Sequence, residues 1–418
     1  MSRLVLCGCG TVGLRVLQLI EKLKPPVTVE AVFVRNASKK REGLQEEYNF
    51  TSNVDDILNS NADLIVEVMG GTDEASIIVE NALQKGKRVV TANKALLFKS
   101  LQDASKDGGA SLLDKHSDSL FYEAAVAGGI PIIRSLQSAY FLNVHQIQGI
   151  LNGTCNFILD SMTRENLDYK DALQLAQEKG FAEADPFLDV EGVDAFQKLS
   201  ILSKLAFDAA PDESFHHIGI SGIKSVDIAY AVEMGCVIRH VCNAEIVAED
   251  KLSVSCLPAV LHRGDDLVVS GPMNVVQVNG GMPLVLKGEG AGGTPTANSV
   301  YADIADALRD TKSFSGAFNQ SAMLSGSALT FCAPRGQFFL RFTVIDECGI
   351  IADVGEECRR LNININSILQ HPESGPLCNF VVVTEETDLD TVKDLMKNLQ
   401  EGHSWFQSSF IALLHSKC

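Results

Sequence analysis

The six residues Gly8-Cys9-Gly10-Thr11-Val12-Gly13 constrain this chain more than any other stretch. They follow a short apolar run at 3–7 and precede a segment, 11–24, in which Val12, Val16, Leu19, Ile20 and Leu23 recur at helical spacing. Pro25-Pro26 stops that helix, and a second strand-like run covers 27–34. Gly-x-Gly-x-x-Gly inside such a strand–helix–strand unit predicts an open parallel sheet that binds a dinucleotide. The glycines let the backbone approach a pyrophosphate, which the helix N-terminus holds. Gly8, Gly10, Thr11, Val12 and Gly13 are therefore the expected cofactor contacts. A glycine turn without a ligand is the alternative, and the strand–helix–strand context disfavours it.

An acid at the end of the second strand would bond the 2′-hydroxyl of NAD. The chain instead reads Val34-Arg35-Asn36-Ala37-Ser38-Lys39-Lys40. Arg35 with Lys39 and Lys40 suits a 2′-phosphate, so NADP is favoured and NAD stays open. A surface basic loop is the competing reading. Further on, a buried strand at 63–69 ends in Gly70-Gly71, and a helix is expected at 74–85. The strand 88–91 then leads into Thr91-Ala92-Asn93-Lys94. Ligands of open parallel sheets sit at the carboxyl ends of the strands, which puts Thr91 and Lys94 at the cofactor. Taken alone, Lys94 equally suits an exposed helix start. Asn152-Gly153-Thr154, between a strand at 145–151 and a helix, offers free amide donors.

The loop from Gly180 to Gly192 crowds carboxylates ahead of a helix expected over 193–207. Asp194 and Lys198 are one turn apart on it, and Lys198 falls within the apolar arc of Ala195, Leu199, Leu202 and Leu205. Gln197, Ser200, Ser203 and Lys204 form the side expected to be wet. Lys198 is thus either a snorkelling lysine in a helical ion pair or a partly desolvated amine that exchanges a proton.

With 418 residues the chain needs two or three domains. The net charge of −18 argues against nucleic-acid and anionic-membrane partners. No apolar run is long enough to span a bilayer. Met1-Ser2-Arg3 enters the first strand directly, leaving no room for a signal peptide. The 11 cysteines include no Cys-x-x-Cys pair, so a reducing cytoplasm is expected; Cys418 reads as an inert tail thiol. From about 237 to 286 the pattern alternates as in strands. A second glycine loop, Gly288 to Gly293, opens a helix running to about 309, and 311–335 reads as a linker. Beyond it, strand, helix, strand, strand, helix, strand follow in the ferredoxin-like order.

Glu183-Ala-Asp-Pro186, the run Asp189-Val-Glu-Gly-Val-Asp194 and Lys198 resemble the active-site segment of homoserine dehydrogenase. The Thr91–Lys94 run, the Asn152-Gly153-Thr154 loop and the two glycine loops match that family in the same order, and the tail resembles an ACT domain. The resemblance implies an α/β protein in three parts. These are a Rossmann-like nucleotide domain at 1–130, with a return helix near 294–312, an α+β substrate and dimerisation domain at 131–310, and an ACT domain at 336–418 after the linker. It implies NAD(P)-dependent, reversible hydride transfer between L-homoserine and L-aspartate 4-semialdehyde, within threonine, methionine and isoleucine biosynthesis. Lys198 would be the general acid/base and Asp194 its orienting partner. Lys94 would polarise the substrate oxygen, Glu183 hold the ammonium, Gly153 and Thr154 line the substrate site, and Gly290 touch the cofactor. A sodium or potassium ion would bind Glu123 and the carbonyls of Val126, Gly128 and Ile130; from composition, this stretch is a strand-to-helix turn. Threonine is the expected effector of the ACT domain, where Cys348 replaces the usual proline, and a homodimer or homotetramer is expected. A dinucleotide sensor without turnover and a reductase of another small amino-acid aldehyde are the alternatives. The sensor has no need of the Glu183, Asp194 and Lys198 set.

Overall fold

The computed structural model describes residues 1–138, 143–212, 215–309, 329–372 and 375–415. The part of the expected linker up to 328, the end of the return helix expected near 312 and Cys418 lie outside them. The chain divides into two compact units. The first comprises Met1–Ile147, Gln197–Ser214 and Asn274–Ala328. The second comprises Gln148–Phe196, Phe215–Met273 and Leu329–Cys418.

The first unit carries a six-stranded parallel sheet in the order Phe50–Thr51, Val27–Phe33, Ser2–Cys7, Leu64–Glu67, Arg88–Thr91, Leu120–Phe121. The order reverses at Ser2–Cys7, the doubly wound arrangement whose ligand crevice lies beyond the strand carboxyl ends. Parallel strands covered on both faces must be apolar throughout, and Leu4, Val5, Leu6, Ile65, Val66, Val89 and Val90 are all buried. The helix Thr11–Leu23 covers one face through Val16, Leu17 and Ile20. The helix Gly293–Leu308, far along the chain, joins the same core through Ala297, Val300 and Ile304. Its glycine-rich opening and its return to this sheet follow the sequence reading.

In the second unit the tail has the sheet order Phe406–Leu414, Arg335–Ile345, Leu377–Thr384, Ile365–Gln370. With the helices Ile350–Arg360 and Leu389–Gly402, this is a complete ferredoxin-like fold. Its sheet continues onto Lys251–His262, which pairs in parallel with Phe406–Leu414 and antiparallel with Cys236–Ala248. Alternation predicted strands at 237–247 and 252–258; both are longer because the sheet extends them on either side. One buried ion pair underlies the junction: the Arg341 guanidinium donates to Asp227 at 2.9 and 3.3 Å, and both side chains are essentially inaccessible. Among the described residues no helix is long and apolar enough to cross a membrane.

Candidate functional site

Gly8 follows the first strand with φ +104°, and a Cβ there would meet the Val68 carbonyl at 2.7 Å. A Cβ on Gly13 would lie 2.0 Å from the Gly8 carbonyl, so helix and strand pack closely only with glycine. At Gly10 the space is open, and no side chain caps the helix Thr11–Leu23. Its first amides are thus left to an anion, which fits a pyrophosphate. Gly290 packs with its backbone against Gly128 and against the Asn274 side chain, at the opening of the return helix.

The basic loop after the second strand is closed by Arg41, whose guanidinium stacks 4.4 Å over Phe50 and donates to the carbonyls of Lys39 and Asn36. That leaves Arg35, Lys39 and Lys40 exposed. At the carboxyl end of the central strands, Glu67 is fully buried and accepts from the Thr91 hydroxyl at 2.6 Å and the Met69 amide at 2.8 Å. Burial pushes its carboxyl upward. Thr91 Oγ1 in turn accepts from the Asn93 amide. Asn93 caps the helix Lys94–Asp107 through the Leu96 amide and donates to the Gly71 carbonyl. Lys94 is therefore the first residue of a firmly anchored helix, and half-buried. Thr91 does more than face a ligand, because its hydroxyl locks Glu67 to the helix start.

In the second unit the decisive side chain is that of Asn152, which the motif reading placed in a turn without giving it a role. Asn152 caps the helix Gly153–Glu165 by accepting from the Cys155 amide at 2.8 Å. Its Nδ2 donates to Asp189 at 2.7 Å and to Asp194 at 2.8 Å. One carboxamide thus holds two acids of the predicted active-site segment in fixed directions. Its neighbour Gly153 opens the helix, and Thr154 spends its hydroxyl on the Phe181 carbonyl at 2.7 Å. Glu183 is exposed in the loop, with its backbone carbonyl held by Gln177. Asp194 and Lys198 lie one turn apart on the helix Val193–Phe207, 7% and 8% exposed, so the lysine is desolvated rather than snorkelling.

Two expectations need correction. Ser200 and Ser203 are fully buried, not wet, and Ser203 donates to the Ala209 carbonyl. The helix is covered almost all round, and Lys204 pairs with Asp208 and Asp114. The cation site is also unsupported. Glu123 accepts from the amides of Ile133 and Arg134 and from the Arg134 guanidinium, all at 2.9 Å. Gly128 O accepts from Ser299, and Ile130 O from the Ile132 amide. With a guanidinium set against the carboxylate, Glu123, Val126, Gly128 and Ile130 do not fit a cation. Among the described residues no cluster of three or more His, Cys, Asp or Glu could hold a metal.

The ferredoxin-like module has its own pocket, lined by Asp346, Glu347, Gly349, Ile350, Gln370 and Phe380. It lies at the turn between the strand Arg335–Ile345 and the helix Ile350–Arg360.

Residues 131–305 match the family described as homoserine dehydrogenase, residues 8–113 its NAD binding domain, and residues 338–401 the ACT domain. A homoserine dehydrogenase of Bacillus subtilis is 34% identical over 424 residues, 96% of this chain and 95% of the relative. That of Corynebacterium glutamicum is 32% identical, over 94% and 92%. The crystal structure of a homoserine dehydrogenase from Thiobacillus denitrificans superposes with a TM-score of 0.82 at 29% identity, covering 99% of this chain and 98% of its own. A hyperthermophilic archaeal homoserine dehydrogenase in complex with NADPH superposes at 0.61 with 25% identity, over 74% of this chain and 98% of its own.

Proposed function

Because the chain belongs to the homoserine dehydrogenase family, and so is an oxidoreductase with a nucleotide cofactor, we propose that Lys198 is the acid/base of its reaction on L-homoserine and L-aspartate 4-semialdehyde. The observation that carries this is that Lys198 and Asp194, one turn apart on the helix Val193–Phe207, are both buried, and that Asn152 holds Asp194. The nicotinamide, when bound, supplies the hydride acceptor for oxidation and the donor for reduction. In oxidation, Lys198 takes the proton from the substrate hydroxyl, and in reduction it returns one to the developing alkoxide. Asp194 orients the amine and the substrate hydroxyl. Lys94, fixed at its helix start, stabilises charge on the substrate oxygen. Glu183 holds the substrate ammonium, and Gly153 and Thr154 shape the wall beside it.

We read the cofactor as NADP in preference to NAD, supported by exposed Arg35, Lys39 and Lys40 and by the absence of an acid at the end of the second strand. The module pocket takes an amino-acid effector, with threonine the first candidate. The reaction belongs to threonine, methionine and isoleucine biosynthesis. The absence of a Cys-x-x-Cys pair from the sequence supports a reducing cytoplasm, and a homodimer or homotetramer is the proposed assembly.

The test is L-homoserine-dependent reduction of NADP and NAD, side by side, by the full chain and by Lys198→Ala. We expect turnover with preference for NADP, and a loss of roughly 10²–10⁴-fold in the variant with dinucleotide binding intact. Near-normal turnover of Lys198→Ala would remove the lysine from the chemistry. A wild-type chain that binds dinucleotide without oxidising L-homoserine would favour the sensor.

A further inference from the structure

The turn that launches the helix of Asp194 is clasped from several directions. Asn152 holds Asp189 from one side. The segment 218–220 closes the other: the Ile220 amide donates to Val190 O at 2.7 Å, and a Cβ on Gly219 would come within 2.3 Å of that carbonyl. Beneath both lies His240, on the strand Cys236–Ala248 and only 1% exposed. Its Nε2 donates to the Ile218 carbonyl at 3.0 Å. Its ring edge also comes within 3.1 Å of where a Cβ on Gly192 would stand. Gly192 has φ +81°, so the turn needs glycine both for its backbone and to seat on the imidazole.

A histidine is a costly filler here. Its Nδ1 is buried with no partner among the described residues, a penalty that leucine or phenylalanine would avoid. What only the imidazole supplies is a donor that reaches Ile218 O while the ring supports Gly192. We propose that His240 is a positioning residue for the reaction: as a neutral imidazole it props the 189–192 turn against the 218–220 segment, and so sets the direction in which the helix presents Asp194. Burial favours the neutral ring and His217 on the neighbouring segment opposes a second positive charge, while the Ile218 carbonyl and Asp194 favour the protonated form less strongly. The proposal rests on the reading of Asp194 and Lys198 as the reacting pair.

The experiment compares the full chain with His240→Leu, His240→Gln and His240→Asn in L-homoserine oxidation, with thermal melts in parallel. In His240→Leu we expect kcat/KM for L-homoserine to fall about tenfold to a hundredfold, as displacement of an aligning group would give, with KM for the dinucleotide unchanged. Glutamine places its amide near the Nε2 position and should recover most of the loss. Asparagine places its amide near Nδ1 and should not. A folded His240→Leu with wild-type kcat and KM overturns the proposal. So does equal activity of the Gln and Asn variants, the comparison that decides if the leucine variant does not fold. A wild-type chain inactive on L-homoserine refutes the functional reading instead; the variants are then compared on whichever alcohol it oxidises.

Discussion

Replacing Asn152 with aspartate tests the centre of the site, because it changes one NH2 into an oxygen at nearly constant shape. In the native chain that nitrogen donates to Asp189 at 2.7 Å and Asp194 at 2.8 Å. After Asn152→Asp, an oxygen faces both acceptors. Carboxylates about 4 Å apart at an effective dielectric of ~20 repel by roughly 4 kcal/mol. At about 1.4 kcal/mol per pH unit, that carries half-ionisation of the new acid from the ordinary carboxylate range into the neutral range. Below that range the new acid is protonated and donates to one of its two neighbours, so partial activity survives. As pH rises it ionises, three carboxylates share the site, and Asp194 loses its alignment. The native chain carries an uncharged carboxamide there and lacks this loss. The ratio of variant to native kcat therefore falls as pH rises. The assay is initial-rate L-homoserine oxidation from mildly acid to alkaline pH, with a melt at each point. A variant profile that parallels the native one at lower amplitude would refute this account of Asn152.

Three further outcomes follow from the same structure. Arg341→Met strands the buried Asp227 carboxylate and should cost about 3–5 kcal/mol in urea unfolding, while the double variant with Asp227→Leu recovers much of it; a loss below 1 kcal/mol would mean the pair is not buried as described. Burial pushes the His240 imidazole from 6.5 down to about 4. Between those values the unfolded chain binds a proton that the folded chain refuses. The histidine's contribution is therefore whole above that window and lost as pH falls through it, by roughly 3 kcal/mol. His240→Leu should flatten that part of the stability curve, and an unchanged slope would count against it. Arg35→Ser should lower kcat/KM with NADP about twofold to fivefold relative to NAD, the weight of one exposed ion pair to a phosphate; an unchanged ratio would assign the loop to the surface.

Elements set by local chemistry could be read directly along the chain. The glycine loop, the Pro25-Pro26 stop, the turn of the helix on which Asp194 and Lys198 meet, and the ferredoxin-like order of the tail all depend on neighbours a few residues apart. Turn chemistry and hydrophobic period determine them before any tertiary contact forms. What decides the site depends on contacts far apart in the chain. Asn152 reaches acids 37 and 42 residues away, and nothing in an Asn-Gly-Thr run specifies which carboxylates it will meet. Periodicity marks one apolar arc on the helix Val193–Phe207, yet Ser200 and Ser203 are buried because neighbours cover its other faces as well. Glu123 looked available to a cation until the fold set Arg134 against it. His240 sits in a strand like any other inward residue, and only the packing of three separate segments puts its ring beneath Gly192. Local sequence specifies the elements and the reacting groups; the partners that orient those groups exist only once distant segments share a core.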